Sequence, residues 1–174
     1  EQMRAVAHTS ARDRQSLAIM RPPWWAFPAE NTLDRATAML PGLFHSRLDE
    51  LGIDFAVVYP TFGLLTFNLP DEEVRRGAAR AFNNYFTDSY GPFSDRTTPV
   101  AGIAMHTPGE AIAEVDDAVG ERGLKAVLMA GHVMRDVEAS GPGPRPMQWM
   151  DTFGVDSPYD YDPVWRRCVE LGVS

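Results

Sequence analysis

The sequence predicts an α/β fold, part of a (β/α)8 TIM barrel with parallel strands and outer helices. Three observations carry this expectation. Apolar runs of strand length alternate with amphipathic helical stretches, and strand–helix–strand order implies parallel strands with crossover helices. The runs are nearly continuous in apolar residues, as strands covered on both faces are. The helix-to-strand links Gly52-Ile53-Asp54 and Gly123-Leu124-Lys125 are short and plain, whereas the strand-to-helix links are longer and richer. In barrels and open α/β sheets the chemistry sits at the carboxyl ends of the strands, on those richer links.

The elements follow in order. Residues 1–20 are weakly patterned. Arg21-Pro22-Pro23-Trp24-Trp25-Ala26-Phe27-Pro28 has too many prolines for a regular helix and too many large aromatics to lie free in water. It reads as an ordered, packed loop. Thr32 is a cap for a helix over 33–51, with Ala36, Met39, Leu40, Leu43, Phe44, Leu48 and Leu51 on one face and Pro41 as a kink or break. Gly52 stops it. Phe55 to Tyr59 reads as a strand buried on both faces, ended by Pro60.

Thr61 to Leu69 reads as a loop. A helix over 71–90 follows, with Asp71, Glu72 and Glu73 where the helix dipole favours them. Its expected core face is Val74, Ala78, Ala81, Phe82 and Tyr85. Val100 to Met105 is the second strand. Thr107-Pro108-Gly109-Glu110 is a capping box opening a helix that turns Ile112, Val115, Ala118 and Val119 inward. Ala126 to Met129 is the third strand. Residues 135–161 read as a long loop. Asp162-Pro163 then opens a helix with Val164, Cys168 and Leu171 inward, closed by Gly172. A fourth strand is expected to begin about Ser174. The expected organisation is one partial barrel domain over 1–174. An open flavodoxin-like sheet with an unrelated small ligand is the other arrangement these elements allow, and a reversal in strand order would mark it.

Composition narrows the function classes. The 174 residues are 44% hydrophobic and carry a formal net charge of −8. That balance disfavours nucleic acid or an anionic membrane as partner. No apolar run reaches the roughly 20 residues of a membrane span, and Glu1 to Met20 has no secretory core. Cys168 stands alone, so no intrachain disulfide forms, and a cytoplasmic setting is expected. Lys125 is the single lysine among many arginines, as a GC-rich bacterial genome would produce.

The candidate site residues are those just past the strands: Tyr59, Thr61, His106 and His132. Histidines from separate strand ends can serve as acid–base groups or ligands. Trp24 and Trp25 are candidates for lining the same pocket. His8 and His45 read as solvated, and Asp151, Asp156, Asp160 and Asp162 as loop caps. The sequence lacks a His-x-His pair, a His-Glu-x-x-His motif, a Walker loop and a nucleophile elbow.

The stretches Arg21 to Pro28, Asn31 to Leu40, Leu51 to Pro60, Pro99 to Pro108, Gly123 to His132 and Ser157 to Trp165, in that order and spacing, resemble the amidohydrolase-related family. Its members are metal-dependent barrel hydrolases and decarboxylases, similar to aminocarboxymuconate semialdehyde decarboxylase. The resemblance implies an internal portion of such an enzyme, acting on a small carboxylated or aromatic substrate by hydrolysis or non-oxidative decarboxylation. It implies a divalent metal, zinc or manganese. The family's ligands are a His-x-His pair on the first strand, a histidine after the fifth and an aspartate after the eighth; none falls on a residue of this sequence. His132 matches a substrate-side position after the fourth strand. The expected partner is a small molecule, with neither nucleic acid nor membrane, and a homo-oligomer is compatible with the sequence. A stretch of this extent is expected to be inactive without the rest of the enzyme.

Overall fold

A computed structural model describes residues 10–16, 32–61, 63–137 and 147–173. The chain divides into two compact units, Glu1–Phe44 and His45–Ser174. The first contains helices α1 (Ala11–Ser16) and α2 (Thr32–Met39), and α3 (Pro41–Ser46) spans the division. Proline at 41 has no N–H to continue the ladder of α2, so the helix expected over 33–51 is broken in two there. Its expected apolar face is only partly used. Leu48 is fully buried, but Met39, Leu40 and Leu51 are exposed.

In the second unit three parallel strands, β1 (Ala56–Val58), β2 (Thr97–Ile103) and β3 (Ala126–Met129), lie side by side in sequence order. There is no reversal of order. β1 pairs with the first three residues of β2, Ala56 opposite Thr97 and Val58 opposite Pro99. β3 pairs with the last four, Val100 opposite Ala126 and Ile103 opposite Met129. The two crossovers are α4 (Glu72–Tyr90), preceded by a 3₁₀ segment over Gly63–Asn68, and α5 (Pro108–Val115), which runs on into a π-helical turn over Asp116–Glu121. Gly52 and Gly123 adopt φ of +68° and +71°, the left-handed conformation that ends a helix before a strand.

β2 is buried along its whole length and is covered on both faces, because successive side chains point to opposite sides. Ala101 and Ile103 join a core with Val115 and Ala118, with Val164 of α6 (Asp162–Leu171) and with Val133. Gly102 lies on the other face, under the ring of Phe67. The same continuous burial was expected of β1 and is not found: Val57 is 48% exposed, and Phe55 and Tyr59 are exposed as well. Among the described residues β1 has a neighbour on one side only.

The segment expected to be a long loop contains an antiparallel hairpin. β4 (Val133–Asp136) pairs with β5 (Gln148–Asp151), Val133 opposite Asp151. The buried stripe of α4 also differs from the expected one. Val74 and Tyr85 face solvent, while Arg75, Ala79 and Asn83 are buried. A periodicity count scores only apolar residues and so missed a stripe built on a guanidinium and an amide. Asn83 is held because its side chain accepts from the Gly102 N–H (2.8 Å) and donates to the Gly102 carbonyl (3.0 Å), matching the peptide as a strand would.

Candidate functional site

The parallel arrangement puts the ends of β1, β2 and β3 at one edge of the sheet. Tyr59 and Thr61 follow β1, His106 follows β2, and His132 follows β3 immediately before β4. Tyr59, Thr61 and His132 are exposed; His106 is half-buried. Trp24 and Trp25 lie outside the described residues.

Two ion pairs stand beside His106. Arg75 of α4 is bidentate to Glu110 of α5, Nε to Oε1 at 2.7 Å and Nη2 to Oε2 at 2.9 Å, with both side chains buried. Its remaining Nη1 donates to the carbonyls of Leu69 and Pro70. Every nitrogen of this buried cation thus donates a hydrogen bond, as a desolvated charge requires. The expected capping box forms only in half. Thr107 Oγ1 accepts from the Glu110 N–H, but the Glu110 carboxylate turns to Arg75 and not back to the cap.

The second pair comes from the hairpin. Arg135 of β4 donates to Asp151 of β5 (2.9 Å) and to the Tyr161 hydroxyl (3.0 Å), and that hydroxyl donates to the Met105 carbonyl at 2.7 Å. This chain of bonds ties the hairpin to the end of β2. Asp151 is fully buried and also accepts from the Phe153 N–H and the Ser157 hydroxyl. Burial alone would push its carboxyl upward, but the bonds from Phe153, Arg135 and Ser157 outweigh it and hold the group below the usual aspartate range. Tyr161 is pushed up by burial, against the pull of Arg135.

His106 itself is shifted down, first by burial and then by the Arg75 guanidinium, with Glu110 opposing and Arg135 adding to the depression. Its Nδ1 is buried with no hydrogen-bond partner. The arrangement therefore offers a neutral imidazole at a strand end, in the field of two arginine–carboxylate pairs.

Sequence reasoning missed Arg75, Glu110, Arg135 and Tyr161. The available signal was Arg75, Ala79 and Asn83 at helical spacing. Of the four aspartates read as loop caps, Asp151 and Asp160 do cap, Asp160 accepting from the Asp162 N–H. Asp151 is in addition the buried partner of Arg135. His45, read as solvated, donates from Nε2 to the Asp95 carboxylate at 3.0 Å and lies against Phe93. Cys168 is partly buried, and burial pushes its thiol up. A cleft of about 210 Å³ lies between α4 and α5, lined by Arg76, Arg80, Glu110 and Glu114 among others. None of the strand-end candidates lines it.

Among the described residues no three His, Cys, Asp or Glu side chains gather so as to hold a metal ion. The carboxylates beside His106 are already engaged by arginines. These residues do not compose a metal site. Among the described residues no helix is long and apolar enough to cross a membrane.

No protein-family profile matches the sequence, and no curated protein does. Solved structures do match. The 2,6-dihydroxybenzoate decarboxylase from Rhizobium aligns with 74% of this chain at 22% identity and a TM-score of 0.55, and its complex with 2,6-dihydroxybenzoate aligns equally. The dihydroxybenzoic acid decarboxylase from Polaromonas sp. JS666, with bound manganese and the inhibitor 2-nitroresorcinol, aligns with 99% of the chain at 17% identity and a TM-score of 0.59. The chain spans 36% and 43% of the length of these proteins. At such identities the likeness speaks for fold. The structural neighbours are thus decarboxylases, and this chain has the fold of a part of them.

Proposed function

We propose that the chain is one partial barrel domain of a metal-dependent enzyme that decarboxylates a small aromatic carboxylate without oxidation. The observation that carries this reading is the alignment of 99% of the chain on a dihydroxybenzoic acid decarboxylase. The sequential order of β1, β2 and β3 supports it, since a barrel places consecutive strands side by side whereas a flavodoxin-like sheet reverses. The staggered pairing of β1 and β3 along β2 is of the kind barrel closure needs.

In this reading His132, His106, Tyr59 and Thr61 form part of the pocket wall, with Trp24 and Trp25 contributed by the preceding loop. The metal ligands lie elsewhere in the whole enzyme, and zinc or manganese is the expected ion. Bound metal would hold the substrate carboxylate and the adjacent hydroxyl. The bond from ring to carboxylate breaks, carbon dioxide leaves, and the ring carbon that keeps the electron pair takes up a proton. The surroundings of His106 suit the anionic substrate: burial first, and then Arg75 and Arg135, favour the uncharged imidazole, and the carboxylates of Glu110 and Asp151 are each paired with an arginine. The whole enzyme acts in the cytoplasm, as a homo-oligomer or alone.

The test is an assay of the full-length protein containing this chain with manganese and 2,6-dihydroxybenzoate. The expected result is loss of substrate with equimolar carbon dioxide and 1,3-dihydroxybenzene. A folded, metal-loaded protein that turns over none of a panel of ortho-hydroxylated benzoates would overturn the proposal.

A further inference from the structure

His106 has two ring nitrogens in unlike surroundings. Nδ1 is buried and unpartnered. Nε2 makes no hydrogen bond either, yet is not among the buried unpartnered atoms, so the half-buried ring meets solvent through it. One N–H must be placed on a neutral ring. At Nδ1 it would be a buried donor with no acceptor, in the field of the Arg75 and Arg135 guanidiniums, which favours a lone pair over an N–H. At Nε2 the proton is met by water or by a ligand.

The charged groups that act on the ring come from three elements: Arg75 of α4, Glu110 of α5 and Arg135 of β4. Each charge already has a partner. Glu110 is held by Arg75, and Arg135 by Asp151, so among the described residues no free carboxylate acts on the ring to accept a proton from it. The carbonyl of His106 is itself 3.3 Å from the Tyr161 hydroxyl, which fixes the backbone from which the ring projects.

We infer that His106 is locked as the neutral Nε2–H tautomer and serves as a hydrogen-bond donor to an oxygen of the substrate, a phenolic or carboxylate oxygen, and not as a group that transfers protons. The donor and its tautomer rest on the geometry of this chain alone; the choice of substrate oxygen rests on the proposed function.

The two parts are tested separately. Long-range proton–nitrogen correlation spectra of the ¹⁵N-labelled chain report the tautomer, with the resonances of His106 identified by their loss in His106→Gln. The expected pattern has a protonated Nε2 and an unprotonated Nδ1, and it persists below the ordinary histidine range near pH 6.5. A protonated Nδ1, or titration at the ordinary midpoint, would overturn the inference. The substrate part is read in the full-length enzyme. Glutamine carries an N–H near the position of Nε2 and leucine does not. His106→Leu is expected to raise KM about tenfold or more, the loss of one hydrogen bond to a charged oxygen. His106→Gln is expected to restore KM to within about twofold, and in both variants the pH profile of kcat keeps its shape. Unchanged KM in His106→Leu would refute the donor role. A lost limb of the kcat pH profile would show proton transfer instead. An enzyme inactive on all ortho-hydroxylated benzoates would overturn the proposed function and, with it, the assigned oxygen, while the spectra decide the tautomer.

Discussion

Gly102 shows how much one residue can fix. A Cβ at this position would lie 1.5 Å from Cζ of Phe67, inside the ring that covers this face of β2. Phe67 is itself buried, so it has no free space to move into. Gly102→Ala is expected to destabilise the chain by about 1–3 kcal/mol, the usual range for overpacking. Urea unfolding measures it. Adding Phe67→Leu should recover part of the loss, and simple addition of the two effects would show that the contact is not the cause. In the sequence, Gly102 reads only as a weak spot in a strand. The need for it comes from a side chain 35 positions earlier that no periodicity connects to it. His106 is different. Its place at a strand end was legible from the run Val100 to Met105, but its two unlike nitrogens were not, because they depend on residues from three other elements.

The hairpin of β4 and β5 illustrates the next scale. It is joined to the end of β2 through Arg135, Asp151 and Tyr161. The carboxyl of Asp151 is lower in the folded chain than the ordinary value of about 3.9. A lowered carboxyl stabilises the fold fully above the unfolded value, and that contribution is lost as pH falls through the folded one. The thermal midpoint is therefore expected to drop between about pH 4 and the lower folded value, and Asp151→Asn should flatten that part of the profile while lowering stability at neutral pH. An unaltered acid limb in the variant would refute the assignment. The hairpin itself was hidden, since residues 133–136 and 148–151 are short and separated by a Gly-Pro tract that reads as loop. The polar face of α4 was hidden for another reason. Arg75 is buried because Glu110 awaits it 35 residues later, and only the folded chain brings them together.

At the scale of the whole molecule, the order of β1, β2 and β3 and the likeness to decarboxylase chains point the same way. The described residues hold no cluster that could bind a metal; the proposed metal dependence is tested on the full-length enzyme. Treating that enzyme with a chelator is expected to abolish decarboxylation, with recovery on adding manganese; activity indifferent to chelator would remove the metal from the proposal. His132→Ala in the same protein is expected to lower turnover and leave metal content intact, as a pocket-wall residue should.

The sequence by itself determined the three strands, two crossovers, the glycine stops at 52, 123 and 172, and the strand-end placement of Tyr59, His106 and His132. These are local matters of propensity, capping and turn chemistry, written within a few residues of where they act. Tertiary structure alone decided that β1 exposes one of its faces, that α4 turns Arg75 and Asn83 inward, that a hairpin rises from the supposed loop, and that His106 lies in the field of two ion pairs. Each depends on contacts, or on their absence, beyond the reach of local sequence pattern. A buried charge is tolerable only when its partner arrives, which is a property of the assembled fold and not of any stretch of sequence.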